Sequence, residues 1–315
     1  MVHIKVLLRE SEIAREFLAA LAARSIPEKF FYWFPLSVRS WLDLCGSDSY
    51  KNFSRSYGLI EQSAAKAALH IPPGQIEVLS LGAGQGDKDM LILEALSRSG
   101  HPLRYIPADS SQALLETACD AAQKAGFSSE GIKLDIADAR HLECLRPDPA
   151  GPPRVTLILG NTLGAFDPFE LCAALNALLR PADFLLLDGE LYCGEETMAG
   201  YDNPANRRFA FAPLRSIGIT EEDGRLCFEA NSDPRLSGLY YISKHFLPVR
   251  DLDLNVGGEA LTLKKCEALR MNFSYKYTRA AFEALLKNIG ALRTIGEYVS
   301  SDGRFVMRLT ARSDG

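Results

Sequence analysis

The sequence predicts an α/β protein with an open, doubly wound, mostly parallel sheet. Three observations support this class. Short apolar runs alternate with helical stretches from about residue 66, as in successive βαβ units. A glycine-rich turn, GAGQG at 82–86, follows the first run. The alternation stops after Gly189 and helical pattern returns only near residue 278. We therefore expect a second module to be inserted before the sheet is completed.

The individual elements follow from this pattern in chain order. Five apolar runs are predicted to be buried parallel strands, at 76–82, 103–109, 131–138, 155–161 and 184–190. Three helices are predicted between them, at 87–99, 110–125 and 168–179, and Pro168 suits the first turn of the third.

After the fifth run, the composition becomes mixed and rich in turn residues over 196–274. Three strands are predicted there, at 226–231, 238–249 and 267–273. A helix at 278–288 and an antiparallel hairpin, with strands at 291–299 and 304–311, complete the chain.

This pattern divides the chain into four segments. Residues 1–65 precede the sheet, and residues 196–275 are predicted to form the inserted module. Residues 66–195 and 276–315 are predicted to form the sheet, with the second segment supplying the last helix and hairpin.

Composition restricts the function classes. A chain of 315 residues with 47% hydrophobic residues can bury a large core. Its net charge of −5 gives no basic surface for nucleic acid. No apolar stretch reaches the length of a membrane span. Charged residues also interrupt the apolar residues at the N-terminus. Seven scattered cysteines and five dispersed histidines predict no disulfide and no metal site. We expect a cytoplasmic protein, and the sequence leaves its oligomeric state open.

The glycine turn predicts a nucleotide-like ligand. Gly82, Gly84 and Gly86 lie between a strand and a helix, where backbone N–H groups can approach a ligand. Their G-x-G-x-G spacing differs from the dinucleotide fingerprint and from a P-loop. Asp109 ends the next strand, where its carboxylate can bind ribose hydroxyls. These features fit NAD and S-adenosylmethionine alike, but the terminal hairpin favours a class I methyltransferase sheet.

Several motifs occur in the order of a known family. They are LGAGQGDKDMLILEAL, YIPADSS, LILGNTLGAFDP, LLLDGELY, YDN and FSYKYTRAAFEALL. Over about residues 66–315 the chain resembles the histidine-specific, ergothioneine-type methyltransferase family. The resemblance implies a class I (Rossmann-like) sheet that binds S-adenosylmethionine, and a substrate domain made from the N-terminal segment and the insertion.

The resemblance also implies residue roles. For the cofactor, Gly82 and Lys88 match residues of the binding loop, and Asp109 matches the acid that binds the ribose. Asp138 and Ala139 match the pair at the adenine edge, and Gly160 matches the residue beside the sulfonium. Asp138 is alternatively a helix N-cap. For the substrate, Tyr201 matches a tyrosine that helps to hold the substrate carboxylate, and Ser274 matches a serine beside the substrate side chain. Tyr32 and Tyr50 match tyrosines that line the substrate site, and they are alternatively packing aromatics.

Two positions depart from the family pattern. Ala165 stands where the histidine enzyme has an asparagine that binds the amino-acid head, and Asn272 stands where it has a glutamate that binds the imidazole. Neither residue reproduces the lost interaction, and an unpartnered polar group in a closed site costs about 1–3 kcal/mol. The sequence therefore predicts N-methylation of a small amino acid or related amine other than histidine.

Catalytic residues are predicted at the end of the fifth strand and just beyond it. Glu190, Tyr192 and Tyr201 are the groups best placed to orient the acceptor or move its proton, and Glu190 is alternatively an ordinary edge carboxylate. Asn272 and Ser274 are predicted to share one strand face in the acceptor pocket, opposite an apolar face that includes Phe273. Two other readings stay open at this point: a cofactor-binding protein that has lost catalysis, and an NAD-dependent oxidoreductase.

Overall fold

A computed structural model describes residues 2–290 and 292–312. Its strands are β1 (Ile4–Val6), β2 (Ile76–Leu81), β3 (Leu103–Asp109), β4 (Ser128–Ser129), β5 (Gly131–Lys133), β6 (Arg154–Ile158), β7 (Phe184–Glu190), β8 (Gly224–Ser232), β9 (Leu239–Pro248), β10 (Leu252–Val256), β11 (Glu259–Leu263), β12 (Leu269–Tyr277), β13 (Leu292–Val299) and β14 (Phe305–Arg312).

The helices are α1 (Glu10–Ala22), α2 (Pro35–Cys45), α3 (Lys51–Ala68), α4 (Asp87–Arg98), α5 (Gln112–Lys124), α6 (Ala139–Glu143), α7 (Pro168–Leu178), α8 (Glu195–Tyr201), α9 (Pro204–Arg215) and α10 (Arg279–Lys287). Short 3₁₀ helices span Glu28–Phe31 and Thr162–Ala165. Ala291, predicted to begin a hairpin strand, lies outside the described residues, as do residue 1 and residues 313–315 of the predicted terminal segments.

The main sheet has the predicted class. Its strand order is β1-β5-β3-β2-β6-β7-β14-β13, with β4 paired to β3. The strands from β1 to β7 pair in parallel, whereas β14 is antiparallel to both β7 and β13. The predicted terminal hairpin is therefore present, and it completes the sheet beside β7.

Some elements differ from the sequence prediction. The predicted strand at 131–138 is shortened to β5, because Asp138 caps α6 and the chain has already left the sheet. The hairpin of β10 and β11 was not predicted, although alternating residues flank Gly257 and Gly258, which both have positive φ. The insertion's main sheet is antiparallel, in the order β12-β9-β8.

The N-terminal segment divides its contacts between both parts of the molecule. Buried residues of α1, α2 and the first 3₁₀ helix share a core with α9, β8, β9 and β12. By contrast, β1 joins the edge of the main sheet, and the C-terminal half of α3 packs in the core beneath α4 and β14. The proposed assignment of residues 1–65 to a substrate domain therefore does not describe β1 and α3.

The sheet opens a crevice at one end. The neighbours of β2 are β3 on one side and β6 on the other, so the connections run in opposite directions from this point. Ligands of open α/β sheets bind outside the carboxyl ends of strands at such a switch point. The turns after β2 and β6, and the insertion after β7, meet there. None of the described helices is long and apolar enough to cross a membrane.

Candidate active site

A large cleft lies between the carboxyl ends of the parallel strands and the insertion. Its empty volume is about 1330 Å³, including solvent at the mouth. The cleft brings together most of the residues predicted for the site, namely Gly82, Gly84, Gly86, Lys88, Asp109, Gly160, Tyr32, Tyr50, Ala165, Tyr201, Asn272 and Ser274. The cofactor and acceptor residues predicted from the sequence therefore line one cavity.

The glycine turn is shaped to leave room for a ligand. A Cβ on Gly82 would lie 2.6 Å from Thr162 Cγ2, so this glycine lets the turns after β2 and β6 touch. Gly84 has φ +57° and a Cβ there would meet nothing within 4 Å. Its backbone faces open space in a conformation that other residues adopt only with strain. The cradle thus fits a cofactor pressed against bare backbone.

Asp109 is buried beside this turn. Its Oδ2 accepts a hydrogen bond from the Gly84 N–H and its Oδ1 from the Ser111 N–H, both at 2.9 Å. Burial raises the pKa of the carboxyl, and these backbone bonds oppose the rise. A carboxylate has further lone pairs. Asp109 can therefore hold the glycine turn and still accept two hydroxyl groups of a ribose.

Lys88 and Gly160 face each other across the cofactor side of the cleft. The Lys88 ammonium lies 4.1 Å from the centre of the Phe53 ring, a cation–π distance. A Cβ on Gly160 would lie 3.0 Å from Lys88 Nζ. A side chain at position 160 would therefore displace the lysine.

The structure places Asp138 and Ala139 outside the cleft lining. Asp138 instead caps α6, accepting from the Arg140 N–H at 2.9 Å, and its side chain pairs with the Arg140 guanidinium. These bonds hold its pKa down, at about 2. The residues after β5 that line the cleft are Leu134, Asp135 and Ile136. An adenine-edge role for Asp138 and Ala139 stays a prediction.

A buried polar cluster lies under the acceptor side of the cleft. Glu190 on β7 is 2% exposed and forms an ion pair of 2.8 Å with Lys276 on β12. The Lys276 ammonium also donates to Ser274 Oγ at 2.8 Å, and the Tyr201 hydroxyl donates to the same oxygen at 3.1 Å. Asn52 on α3 donates to both Glu190 and the Tyr201 oxygen.

The structure places Glu190 behind the cleft lining. Its carboxylate pairs with Lys276 and accepts a hydrogen bond from Asn52, and Glu190 does not line the cleft. Tyr201 and Ser274 belong to the same polar cluster and do line the cleft. The catalytic role of Glu190 stays a prediction, and this geometry favours an indirect role through these two neighbours.

Asn161 ties the cofactor side to the insertion. It follows β6 with φ +61°, and its side-chain oxygen accepts from the Glu190 N–H at 3.0 Å. Its amide donates to the Tyr275 carbonyl at 3.2 Å and lies 3.4 Å from Ser274 Oγ. Ser274 is thereby held next to the turn that carries Gly160.

The far end of the acceptor side holds a second polar group. Lys244 on β9 donates to Asn272 Oδ1 at 2.9 Å, and the Asn272 amide donates to Glu28 Oε2 at 2.6 Å. Tyr32 donates its hydroxyl to the other Glu28 oxygen at 2.9 Å. Burial lowers the pKa of Lys244 to about 8 and raises the pKa of Glu28.

A β-bulge directs Asn272 at Lys244. In the pairing of β12 with β9, Arg270 is opposite His245 and Phe273 is opposite Ser243. Two residues, Met271 and Asn272, therefore face the single residue Lys244, which is the geometry of a bulge. Phe273 borders the cleft, and its ring packs edge-on against Tyr275 at 5.4 Å, as expected for neighbours on one apolar face of the strand.

The walls of the acceptor side are aromatic. Tyr50 packs edge-on against Tyr201 at 6.4 Å, and Tyr32 packs edge-on against Trp41 at 5.3 Å. Both tyrosines also line the cleft. The two readings of these residues, lining and packing, are therefore both correct.

Sequence reasoning missed five polar residues of the site. Lys276 continues the alternation of Asn272 and Ser274, so a period of two would have found it. Asn161 lies within a motif that was recognised. Glu28, Asn52 and Lys244 carry no local signal. Within the described ranges, no three His, Cys, Asp or Glu side chains are grouped to hold a metal ion, and the seven cysteines are free thiols.

The relatives that match the chain include mycobacterial histidine N-alpha-methyltransferases and Aspergillus N-methyltransferases. Histidine N-alpha-methyltransferase of Mycobacterium tuberculosis is 25% identical over 192 residues, which is 58% of this chain and 56% of that enzyme. N-methyltransferase fsqC of Aspergillus fumigatus is 25% identical over 255 residues, which is 78% of this chain and 68% of the relative. This chain thus spans only a little over half of the mycobacterial enzyme.

Among solved structures, an S-adenosylmethionine-dependent methyltransferase from Clostridium acetobutylicum aligns with 84% of this chain and 92% of its own, at 13% identity and a TM-score of 0.43. A family profile described as "Histidine-specific methyltransferase, SAM-dependent" matches residues 13–312. The cofactor of this family is S-adenosylmethionine and not NAD. Because the match covers nearly the whole sequence, the chain belongs to the histidine-specific family of S-adenosylmethionine-dependent methyltransferases.

Proposed function

We propose that this enzyme methylates a nitrogen of a small amino acid or related amine other than histidine. The observation that carries the proposal is the composition of the acceptor side. Ala165 offers no hydrogen bond to an amino-acid head, and Asn272 is bonded to Lys244 and Glu28 rather than presenting a lone carboxylate. The name of the fungal relative, an N-methyltransferase, agrees with nitrogen as the acceptor atom.

For the cofactor, we propose contacts from both turns at the switch point. Gly82, Gly84 and Gly86 hold the amino-acid and ribose part with bare backbone, and Asp109 accepts the ribose hydroxyls. Lys88 contributes from the cofactor loop, and Gly160 borders the sulfonium. Asp135 and Ile136 replace Asp138 and Ala139 at the adenine edge. The support for this set is its common place in the cleft lining.

Bound S-adenosylmethionine supplies an activated methyl group, so the protein chiefly has to align a neutral amine. Burial raises the pKa of Tyr201 well above its ordinary value, which keeps its hydroxyl neutral. That hydroxyl donates to Ser274 and accepts from Asn52. One lone pair of the oxygen remains, and we propose that it accepts an N–H of the acceptor and directs the nitrogen lone pair at the methyl group.

Glu190 and Lys276 hold Tyr201 and Ser274 in this arrangement. In this scheme no carboxylate contacts the reacting atoms. The amine therefore arrives neutral, and the ammonium formed by methyl transfer loses a proton to water. Tyr32 and Tyr50 line the cleft and limit the space available to the acceptor. A cytoplasmic location, argued from composition, is also part of the proposal.

Cofactor binding should depend on Asp109 and not on Asp138. Asp109→Ala should weaken S-adenosylhomocysteine binding at least ten-fold, because each lost charge-assisted hydrogen bond costs about 1.5–3 kcal/mol. Asp138→Ala, which removes a carboxylate outside the cleft, should change the affinity less than two-fold. Calorimetric titration measures both, with thermal unfolding as the check on folding. Equal effects of the two changes would show that the ribose contact is assigned wrongly.

Histidine should be a poor acceptor. With methyl-labelled S-adenosylmethionine and a pool of amino acids and amines that includes histidine, the label should enter an N-methylated product at least a hundred-fold faster than it enters histidine. The reason is the loss of two anchors, each worth about 1–3 kcal/mol, where 1.4 kcal/mol is a factor of ten. Mass spectrometry identifies the product. Trimethylated histidine as the main product would refute this part of the proposal.

The Tyr201 hydroxyl should matter for transfer but not for cofactor binding. Tyr201→Phe should reduce methylation of the best acceptor ten-fold or more, about 1.4 kcal/mol of transition-state stabilisation, at unchanged S-adenosylhomocysteine affinity. Tyr192→Phe is the matched control, because Tyr192 lies outside the cleft lining. Its ring stacks on that of Tyr240, with 4.0 Å between the ring centres. Full activity of Tyr201→Phe would remove this tyrosine from the reaction.

A further inference from the structure

A buried lysine faces the acceptor side of the cleft without a carboxylate partner at contact distance. Lys244 is 2% exposed and lines the cleft. Its ammonium has three donors, and within the described chain its hydrogen bond goes to Asn272 Oδ1. Lys276, by contrast, is directly paired with Glu190 at 2.8 Å. Two buried lysines thus lie side by side, and only one has its countercharge in contact.

The position of Lys244 is remote from the methyl donor. Ser274 lies 3.4 Å from Asn161, on the turn that borders the cofactor. Asn272 is two residues further along β12, about 6 Å at the rise of an extended strand, and Lys244 lies beyond it. A ligand that reaches from the cofactor side to Lys244 therefore presents its far end to the ammonium.

A desolvated ammonium is costly unless an anion or a set of acceptors is paired with it. Glu28 is the nearest source of negative charge, but it is joined to Lys244 only through the Asn272 amide, and Tyr32 occupies its other oxygen. The rings of Tyr201 and Phe209 lie 5.7 Å and 5.9 Å from the ammonium. Aromatic walls with a cation between them suit a flat or apolar group that ends in a carboxylate.

We propose that Lys244 binds a carboxylate at the end of the acceptor remote from the methylated nitrogen. The enzyme then acts on amines that carry an acidic group, and it rejects analogues in which this group is neutral. This inference rests on the proposed function for the identity of the ligand as a methyl acceptor. The carboxylate site itself does not depend on methyl transfer.

The test uses phenylacetate as a minimal aromatic carboxylate and phenylacetamide as its neutral isostere. Each is titrated into the complex with S-adenosylhomocysteine at pH 7. Phenylacetate should bind at least ten-fold more tightly than phenylacetamide, and Lys244→Met should abolish the difference. Lys265→Met, at an exposed lysine outside the cleft, should preserve it. Thermal unfolding shows whether each variant is folded.

A pH series on the unmodified protein keeps the test valid if Lys244→Met does not fold. The charged or titratable groups that face Lys244 are Glu28, Lys276, Tyr32 and Tyr201. Because the pKa of Lys244 is about 8, the protonated form that binds an anion is lost as the pH rises above that value. Phenylacetate affinity should be flat between pH 6 and 7 and then fall toward ten-fold per pH unit, while phenylacetamide affinity stays constant.

Three results would overturn the proposal: no detectable phenylacetate binding, equal binding of the two probes, or a preference that survives in Lys244→Met. Failure of the proposed function is distinguishable from these. It would appear as an absence of labelled product or of S-adenosylhomocysteine binding, whereas the preference between the two probes can also be measured on the protein alone.

Discussion

The buried ion pair of Glu190 and Lys276 is the contact on which the arrangement of the site depends. Glu190 ends a strand of the main sheet, and Lys276 belongs to the insertion, so the pair joins the part that holds the cofactor to the part that meets the acceptor. Removing two charges from water is costly, and a buried pair is tolerated when its remaining donors and acceptors are satisfied. Asn52 donates to Glu190, and Lys276 donates to Ser274.

The same pair explains how a surface insertion becomes a wall of an active site. Ser274 and Asn272 project from β12 on the same side as Lys276, so fixing the ammonium fixes the whole polar stripe relative to the sheet. Asn161 adds a second link, from the turn after β6 to β12. Buried polar contacts therefore fix β12 relative to the main sheet.

Much of the fold could be predicted because its signals are local. Apolar runs gave the five parallel strands, and the terminal hairpin was visible as two apolar runs around Ser301-Asp302-Gly303. The glycine turn and Asp109 belong to one βαβ unit, so their spacing sufficed to place both at the cleft. The predicted strand at 131–138 was too long, because an apolar run does not show where a strand of three residues ends.

The acceptor side was less predictable because its residues come from distant parts of the chain. Asn52 reaches Glu190 across 138 positions, and Asn272 reaches Glu28 across 244. No periodicity records such contacts. The contact of Glu190 with Lys276 was not foreseen, and without that partner a buried carboxylate suggests a catalytic base. The bulge opposite Lys244 likewise depends on strand register, which a single strand does not reveal.

A double-mutant cycle on Glu190 and Lys276 tests this account most directly. Unfolding free energies are measured for Glu190→Gln, Lys276→Met and the double variant. Each single change should cost about 3–5 kcal/mol, since it leaves a buried charge unpaired. The double variant should cost less than their sum by at least about 1 kcal/mol, while it binds S-adenosylhomocysteine normally and loses methyl transfer. Additive costs, or full transfer activity in the double variant, would contradict the claim that this pair positions the acceptor wall.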